Sequence, residues 1–199
     1  MTLFSNYNLN EVLNKSLKNI NFTNPTPIQE KSIPLILQGK DILGSAQTGT
    51  GKTAAFCIPI LELLMKSPRG SLLIMIPTRE LAKQVLDVIN SLLGFKSSIN
   101  TATLIGGESM SKQLSELKKR PRIYVGTPGR INDHLQRGTL NLHDTKYLVL
   151  DETDRMLDMG FEVQINKIIK FLPVSKQVLM FSATIPNNIL KLSSKYLND

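Results

Sequence analysis

The 199 residues carry 24 lysines and arginines against 16 aspartates and glutamates, a formal charge of +8, and 41% of them are hydrophobic. That balance excludes a disordered chain and a membrane protein, and the length fits one domain or one large lobe. The basic surplus favours a polyanionic partner, nucleic acid being the commonest, with a merely soluble surface as the competing explanation.

The opening residues Met1-Thr2-Leu3-Phe4-Ser5-Asn6 have neither a basic lead nor an apolar run, so no secretory leader is expected. Residues 1–39 read as helices broken by Pro25, Pro27 and Pro34, a helical appendage packed on an α/β core. From residue 40 onward short apolar runs alternate with longer amphipathic ones. Strands are expected at 41–45, 71–76, 100–105, 122–126, 146–151 and 177–182, each rich in Val, Ile or Leu, as strands buried on both faces should be. Cys57 lies in the apolar run Ala54-Ala55-Phe56-Cys57-Ile58 and reads as core. A single cysteine makes no internal disulfide, which points to a reducing compartment.

Between the strands lie helical patterns such as Arg79–Leu93, where Leu81, Val85, Val88, Ile89 and Leu92 form one stripe. Lys118-Lys119-Arg120-Pro121-Arg122 is the densest basic cluster; it precedes a strand and reads as a solvated face. His134 and His143 with one cysteine cannot build a zinc-type cluster. The expectation is an α/β fold, a parallel sheet with helices on both faces, in a cytoplasmic monomer with no membrane partner. In open parallel sheets ligands collect at the C-terminal strand ends, and the polar, Gly-bearing and acidic segments of this chain fall there.

Ala46-Gln47-Thr48-Gly49-Thr50-Gly51-Lys52-Thr53 stands between a strand and an apolar helix and has the pattern of a phosphate-binding loop, except that Ala46 replaces its first glycine. Gly49 and Gly51 let successive N–H groups turn inward, and the helix adds its positive end. Lys52 is placed to reach the β- and γ-phosphates of a nucleotide, and the Thr53 hydroxyl to ligate Mg2+. Asp151-Glu152-Thr153-Asp154 follows the apolar strand Tyr147-Leu148-Val149-Leu150. Asp151 is there the metal-side acid, through a water, and Glu152 the group that orients or deprotonates an attacking water. Ser182-Ala183-Thr184, after the last strand, offers two hydroxyls to Asp154 or to a phosphate-side water; helix capping is the alternative.

Several segments come one after another in a set order: Phe22-Thr23-Asn24-Pro25-Thr26-Pro27-Ile28-Gln29, residues 46–53, Pro77-Thr78-Arg79-Glu80-Leu81-Ala82, Gly106-Gly107, Thr127-Pro128-Gly129-Arg130, residues 151–154 and residues 182–184. Together they resemble the first RecA-like domain of a DEAD-box ATP-dependent RNA helicase, over essentially the whole chain. The resemblance implies ATP and Mg2+ as cofactors, RNA as partner, and ATP hydrolysis coupled to duplex opening. It divides the chain into an adenine-recognition segment, 1–39, and a helicase ATP-binding lobe, 40–199. Gln29 would read the adenine edge with both amide groups, Phe22 would stack on the base with Asn24 nearby, and Phe4 would brace this element. Lys52, Asp151 and Glu152 would be catalytic, and Asp154, Ser182 and Thr184 would couple the nucleotide to the RNA. Thr78, Arg79, Glu80, Gly106, Gly107, Thr127, Pro128, Gly129 and Arg130 would meet the RNA backbone, through helix N-termini and glycines that allow close approach.

Three departures stand out. Thr153 occupies the place of the family's Ala, and its extra hydroxyl is expected to alter hydrogen bonding to Ser182 or Thr184. Asn21 stands where a Gly usually precedes the aromatic. The family's second RecA-like lobe, with its arginine finger and half of its RNA surface, is absent from these residues, so the lobe alone is expected to bind nucleotide and RNA weakly and to turn over little. A DNA-directed lobe and a non-catalytic module that docks a partner protein remain as alternatives.

Overall fold

The computed structural model describes residues 3–47, 49–94 and 97–198. After a 3-10 turn, Phe4–Tyr7, come α1 (Glu11–Asn19) and α2 (Pro27–Leu37), then β1 (Ile42–Ser45), α3 (Lys52–Lys66), β2 (Ser71–Met75) and α4 (Arg79–Leu93). The chain continues through β3 (Thr101–Leu104), α5 (Met110–Lys118), β4 (Ile123–Gly126) and α6 (Pro128–Gln136). It ends with β5 (Thr145–Leu150), α7 (Thr153–Asp158), α8 (Glu162–Ile169), β6 (Gln177–Ser182) and α9 (Asn187–Tyr196). All six expected strands form, within a residue of their expected ends, in the order β1-β6-β5-β2-β4-β3. Every pairing between them is parallel.

The alternation of side chains along a strand explains the two-faced core. Leu72, Ile74, Val149, Leu179 and Phe181 point into one buried cluster, shared with α1 to α4. Leu73, Met75, Leu148, Leu150, Val178 and Met180 point into the other, shared with α6, α8 and α9. Burying β2 on both faces is what its unbroken apolar sequence dictates.

The prolines of the N-terminal segment act differently from expectation. Pro27 does not break a helix but opens α2 at its first position, where no main-chain donor is needed. Pro34 lies inside α2 without ending it, because Ile33 and Ile36, both fully buried, hold the helix on the core. The segment is also more than an appendage: Phe4, Leu13, Leu17, Ile33 and Ile36 belong to the same buried cluster as the sheet. Glu62 of α3 fixes α1 in place by accepting the Asn10 N–H at 2.6 Å, while its other carboxylate oxygen lies 3.0 Å from Lys66 Nζ.

Candidate functional site

The strand order alone sorts the candidate residues. Because the strands are parallel, their C-terminal ends share one edge. The phosphate loop, the acidic turn and Ser182-Ala183-Thr184 leave β1, β5 and β6, which are neighbours; the segments at 77–82, 127–130 and 106–107 leave β2, β4 and β3, and the segment at 22–29 precedes β1.

On the first half, the Ala46 N–H donates to the Ser182 carbonyl at 3.1 Å, which ties the loop to the end of β6. The Thr50 hydroxyl closes the turn on the Gln47 carbonyl at 2.7 Å. Gly49 and Gly51 adopt φ of +86° and +90°, and Gly51 leads directly into α3. Thr48 lies outside the described residues. Lys52 is buried, and its ammonium has no hydrogen-bond partner among the described residues. A buried cation in that state calls for an anion, and the first turn of α3, with half-buried Thr53, faces the same loop. The donor set therefore fits the phosphates of a nucleotide, and Thr53 with Asp151 fits a cation that keeps waters and phosphate oxygens as its other ligands.

Asp151 is 7% exposed, its N–H donating to the Met75 carbonyl at 3.1 Å and its Oδ1 accepting the Glu152 N–H at 3.0 Å. Burial pushes its carboxyl up to about 6, against the opposing pull of Lys52. Glu152 takes a left-handed φ of +51°, and its Oε2 lies 3.4 Å from Arg155 Nη1. Thr153 is fully buried. Its hydroxyl lies 3.1 Å from both the Leu150 and the Phe181 carbonyls, so it joins the ends of β5 and β6 rather than meeting the side chains of Ser182 or Thr184.

Asp154 makes those contacts. Its Oδ2 accepts the Thr184 N–H at 2.9 Å and the Thr184 hydroxyl at 3.0 Å, and its own N–H donates to Ser182 Oγ at 3.3 Å. Burial would raise the Asp154 carboxyl, but the hydrogen bonds from Thr184 and the Arg155 N–H outweigh it and hold the group below its ordinary range.

Gln29 is buried against this loop. Its Oε1 accepts the Thr26 N–H at 2.9 Å and its Nε2 donates to the Gly51 carbonyl at 3.1 Å, leaving one N–H and one lone pair of the amide. Phe22 is 38% exposed and stacks on buried Phe4, with ring centroids 6.1 Å apart and planes at 23°. Asn24, two residues on, is exposed. Asn21 has φ +57°, a left-handed conformation that Asn tolerates better than most residues, which is why it can stand in a glycine's place.

On the second half, Thr78, Arg79, Glu80, Gly106, Thr127, Gly129 and Arg130 line one concavity of about 550 Å3, together with Met159 and Phe161. The Arg79 guanidinium lies across the glycine pair: a Cβ on Gly107, whose φ is +76°, would meet Arg79 Nη1 at 1.9 Å. Pro128 is buried at the first position of α6, and Thr78 Oγ1 accepts the Leu81 N–H at 3.3 Å as a helix cap. The Arg130 guanidinium donates to the Glu108 carbonyl at 3.3 Å.

Sequence reasoning missed two groups. Arg122 is not part of a solvated face: its guanidinium donates to the Leu64, Ser67, Arg69 and Gly70 carbonyls at 2.8–3.2 Å, closing the end of α3. Gln113 and His134, both fully buried, form a polar bridge between α5 and α6. Gln113 precedes Leu117 by one helical turn, and Leu117 packs on the core, so a polar residue on that face was the available signal. Burial first, and Arg130 next, keep the His134 imidazole below the ordinary histidine range.

A DEAD/DEAH box helicase model matches residues 26–192. The chain is 47% identical, over its whole length, to the ATP-dependent RNA helicase CshA of Listeria monocytogenes, of which it covers 38%. It is 45% identical over 196 residues to the DEAD-box ATP-dependent RNA helicase RhpA of Helicobacter pylori, covering 98% of this chain and 40% of that one. A crystal structure of a DEAD box protein from the hyperthermophile Methanococcus jannaschii superposes with a TM-score of 0.94 at 44% identity, covering all of this chain and 55% of the other. The chain thus spans about two fifths of the length of the curated relatives it matches. No helix among the described residues is long and apolar enough to cross a membrane. Its parallel sheet is a RecA-like fold with the family's segments gathered along one edge, and the chain belongs to the DEAD/DEAH box helicase family.

Proposed function

We propose that this chain is the ATP-binding first lobe of an ATP-dependent RNA helicase that couples ATP hydrolysis to local opening or remodelling of RNA duplexes. Residues 1–39 form its adenine-recognition segment and residues 40–199 its helicase lobe. The observation that carries the reading is the buried ammonium of Lys52, without a hydrogen-bond partner among the described residues, together with the buried carboxyl of Asp151, in the segments that leave β1 and β5 on either side of β6.

Bound ATP supplies the phosphoryl group to be transferred to water, and bound Mg2+ neutralises charge on its phosphate oxygens. The loop at 46–53, with the N-terminal turn of α3 and Lys52, would hold the phosphates; Thr53, and Asp151 through a water, would hold the metal. Glu152 orients the attacking water and accepts its proton on the carboxylate. Gln29 has one N–H and one acceptor site left for the adenine edge, and Phe22, propped by Phe4, offers a face for the base. Asp154, with Ser182 and Thr184, links this half to the segments at 78–80, 106–107 and 127–130, which take the RNA backbone with little sequence preference.

The lobe works in the cytoplasm as a monomer, with a second RecA-like lobe of the full-length protein as its partner. An arginine finger from such a lobe is worth on the order of 10³–10⁵ in rate. The 199 residues alone therefore bind nucleotide and RNA weakly and turn over slowly. The test is a titration of fluorescent ADP and GDP, with Mg2+, into the chain and a Gln29→Ala variant. Adenine-selective binding lost on substitution supports the reading; equal binding of both nucleotides counts against it. Turnover by the lobe alone at the rate of a two-lobed relative would remove the claim about its dependence.

A further inference from the structure

Gln113 and His134 are fully buried polar residues on different helices, and the hydrogen bonds they make fix their orientation. Gln113 Nε2 donates to the Ile105 carbonyl at 2.7 Å, immediately before Gly106-Gly107. The amide oxygen therefore faces His134 Nε2 at 2.9 Å, and that ring nitrogen must carry the proton. His134 Nδ1 lies 2.8 Å from the Thr139 hydroxyl, just past the end of α6. The chain of bonds runs from the main chain before the glycine pair, through α5, to the helix that starts at Pro128.

We propose that Gln113 and His134 are positioning residues for the RNA side: they set the distance between the Gly106-Gly107 segment and the N-terminal turn of α6, so that the two can take phosphates of one strand together. The inference rests on the proposed RNA-binding role of that half of the edge. Other contacts hold the glycine segment: the Thr127 N–H donates to the Leu104 carbonyl at 3.0 Å, the Arg79 guanidinium lies over the glycine pair, and the Arg130 guanidinium donates to the Glu108 carbonyl. The two guanidiniums are cations that phosphates compete for when RNA arrives. The Gln113–His134 bridge is closed to solvent, neutral and beyond reach of a phosphate. With the Thr127–Leu104 main-chain bond, it persists in the bound state, and it is the side-chain link among these.

The test uses the 199-residue chain, a fluorescein-labelled ten-nucleotide single-stranded RNA read by anisotropy, and fluorescent ADP as an internal control. Gln113→Met removes both of its bonds with little change of volume, and His134→Phe removes the bond between the helices together with the Nδ1 contact to Thr139. Each folded variant should bind the RNA about ten-fold more weakly while ADP affinity stays within about two-fold. Thr139→Val, which leaves the Gln113 bond in place, should keep RNA affinity within about two-fold of the parent. RNA affinity unchanged in a folded Gln113→Met or His134→Phe chain, or RNA and ADP binding lost together, overturns the proposal.

Two measurements stand apart from RNA affinity. Nitrogen NMR of the unaltered chain should find the His134 proton on Nε2; a ring protonated on Nδ1 alone overturns the bridge even if neither variant folds. The parent's failure to bind RNA would sink the RNA reading itself. In that case amide NMR still decides the positioning claim: substitution at 113 should shift the signals of Gly106, Gly107, Gly129 and Arg130. Shifts confined to α5 would count against it.

Discussion

The Gln29 side chain and the Gly51 carbonyl are joined by a hydrogen bond of 3.1 Å across 22 residues of sequence, which ties the N-terminal segment to the residue that leads into α3. The contact has a steric condition. Gly51 sits at φ +90°, and a Cβ there would approach Gln29 Nε2 to 2.5 Å. Gly51→Ala should therefore strain the backbone and push the amide away together. The expected result is a stability loss of about 1–3 kcal/mol in urea unfolding and ADP binding at least about ten-fold weaker. An alanine variant with parental ADP affinity would show that the amide can move without harm.

Asp151 sets function against stability. Its folded carboxyl titrates near 6, above the ordinary aspartate value of 3.8, so the folded state holds the proton more tightly than the unfolded one. The protein is then most favoured with Asp151 protonated. That stability is fully present below pH 3.8 and is lost as pH rises through 6. Asp151→Asn should raise stability at pH 7.5 by on the order of 1–3 kcal/mol, and the gain should close as pH falls below about 4. The same variant should lose the Mg2+ dependence of ADP binding. Denaturant midpoints across pH check the first outcome, and ADP titrations with and without Mg2+ check the second.

The Thr153 hydroxyl reaches the carbonyls of Leu150, the last residue of β5, and Phe181, the last but one of β6, both buried residues. Thr153→Val keeps the shape and removes the donor, which should cost about 1–2 kcal/mol in thermal or urea unfolding. ADP affinity should be little altered, since the acids on either side keep their own bonds. A fall in affinity without a fall in stability would mean the hydroxyl acts on the nucleotide directly.

Arg122 should behave as a structural residue despite its place in a basic cluster. One planar guanidinium satisfies four carbonyls around the turn from α3 to β2. Lysine carries the charge but cannot reproduce the fork, so Arg122→Lys should lose roughly 1–3 kcal/mol and leave nucleotide and RNA affinity as they were. Weaker RNA binding at unchanged stability would make the residue part of a basic, ligand-facing surface instead.

How legible each feature is in the sequence depends on how local its signal is. Strand positions were readable because a strand buried on both faces needs an unbroken apolar run, and the phosphate loop because its glycines, lysine and threonine are contiguous. Pro34 misled because burial of Ile33 and Ile36 outweighs one missing main-chain bond. Arg122, the Gln113–His134 bridge and the true partners of Thr153 were not readable. Each depends on groups brought together by the sheet: Arg122 meets the loop more than 50 residues before it, and His134 a glutamine 21 residues before it.

The strand order also limits how the two halves of the edge can influence one another. From β1 to the ends of β2, β4 and β3 is three, four and five strand spacings, roughly 14–24 Å at about 4.8 Å per spacing. At physiological ionic strength the screening length is about 8 Å. A change of charge in the loop after β1 is therefore largely hidden, through solvent, from groups beyond β2. Whatever passes between the halves has to travel as displacement through covalent chain and packed contacts, and the seam it must cross is that of β5 and β2, whose ends are joined by the Asp151 N–H on the Met75 carbonyl.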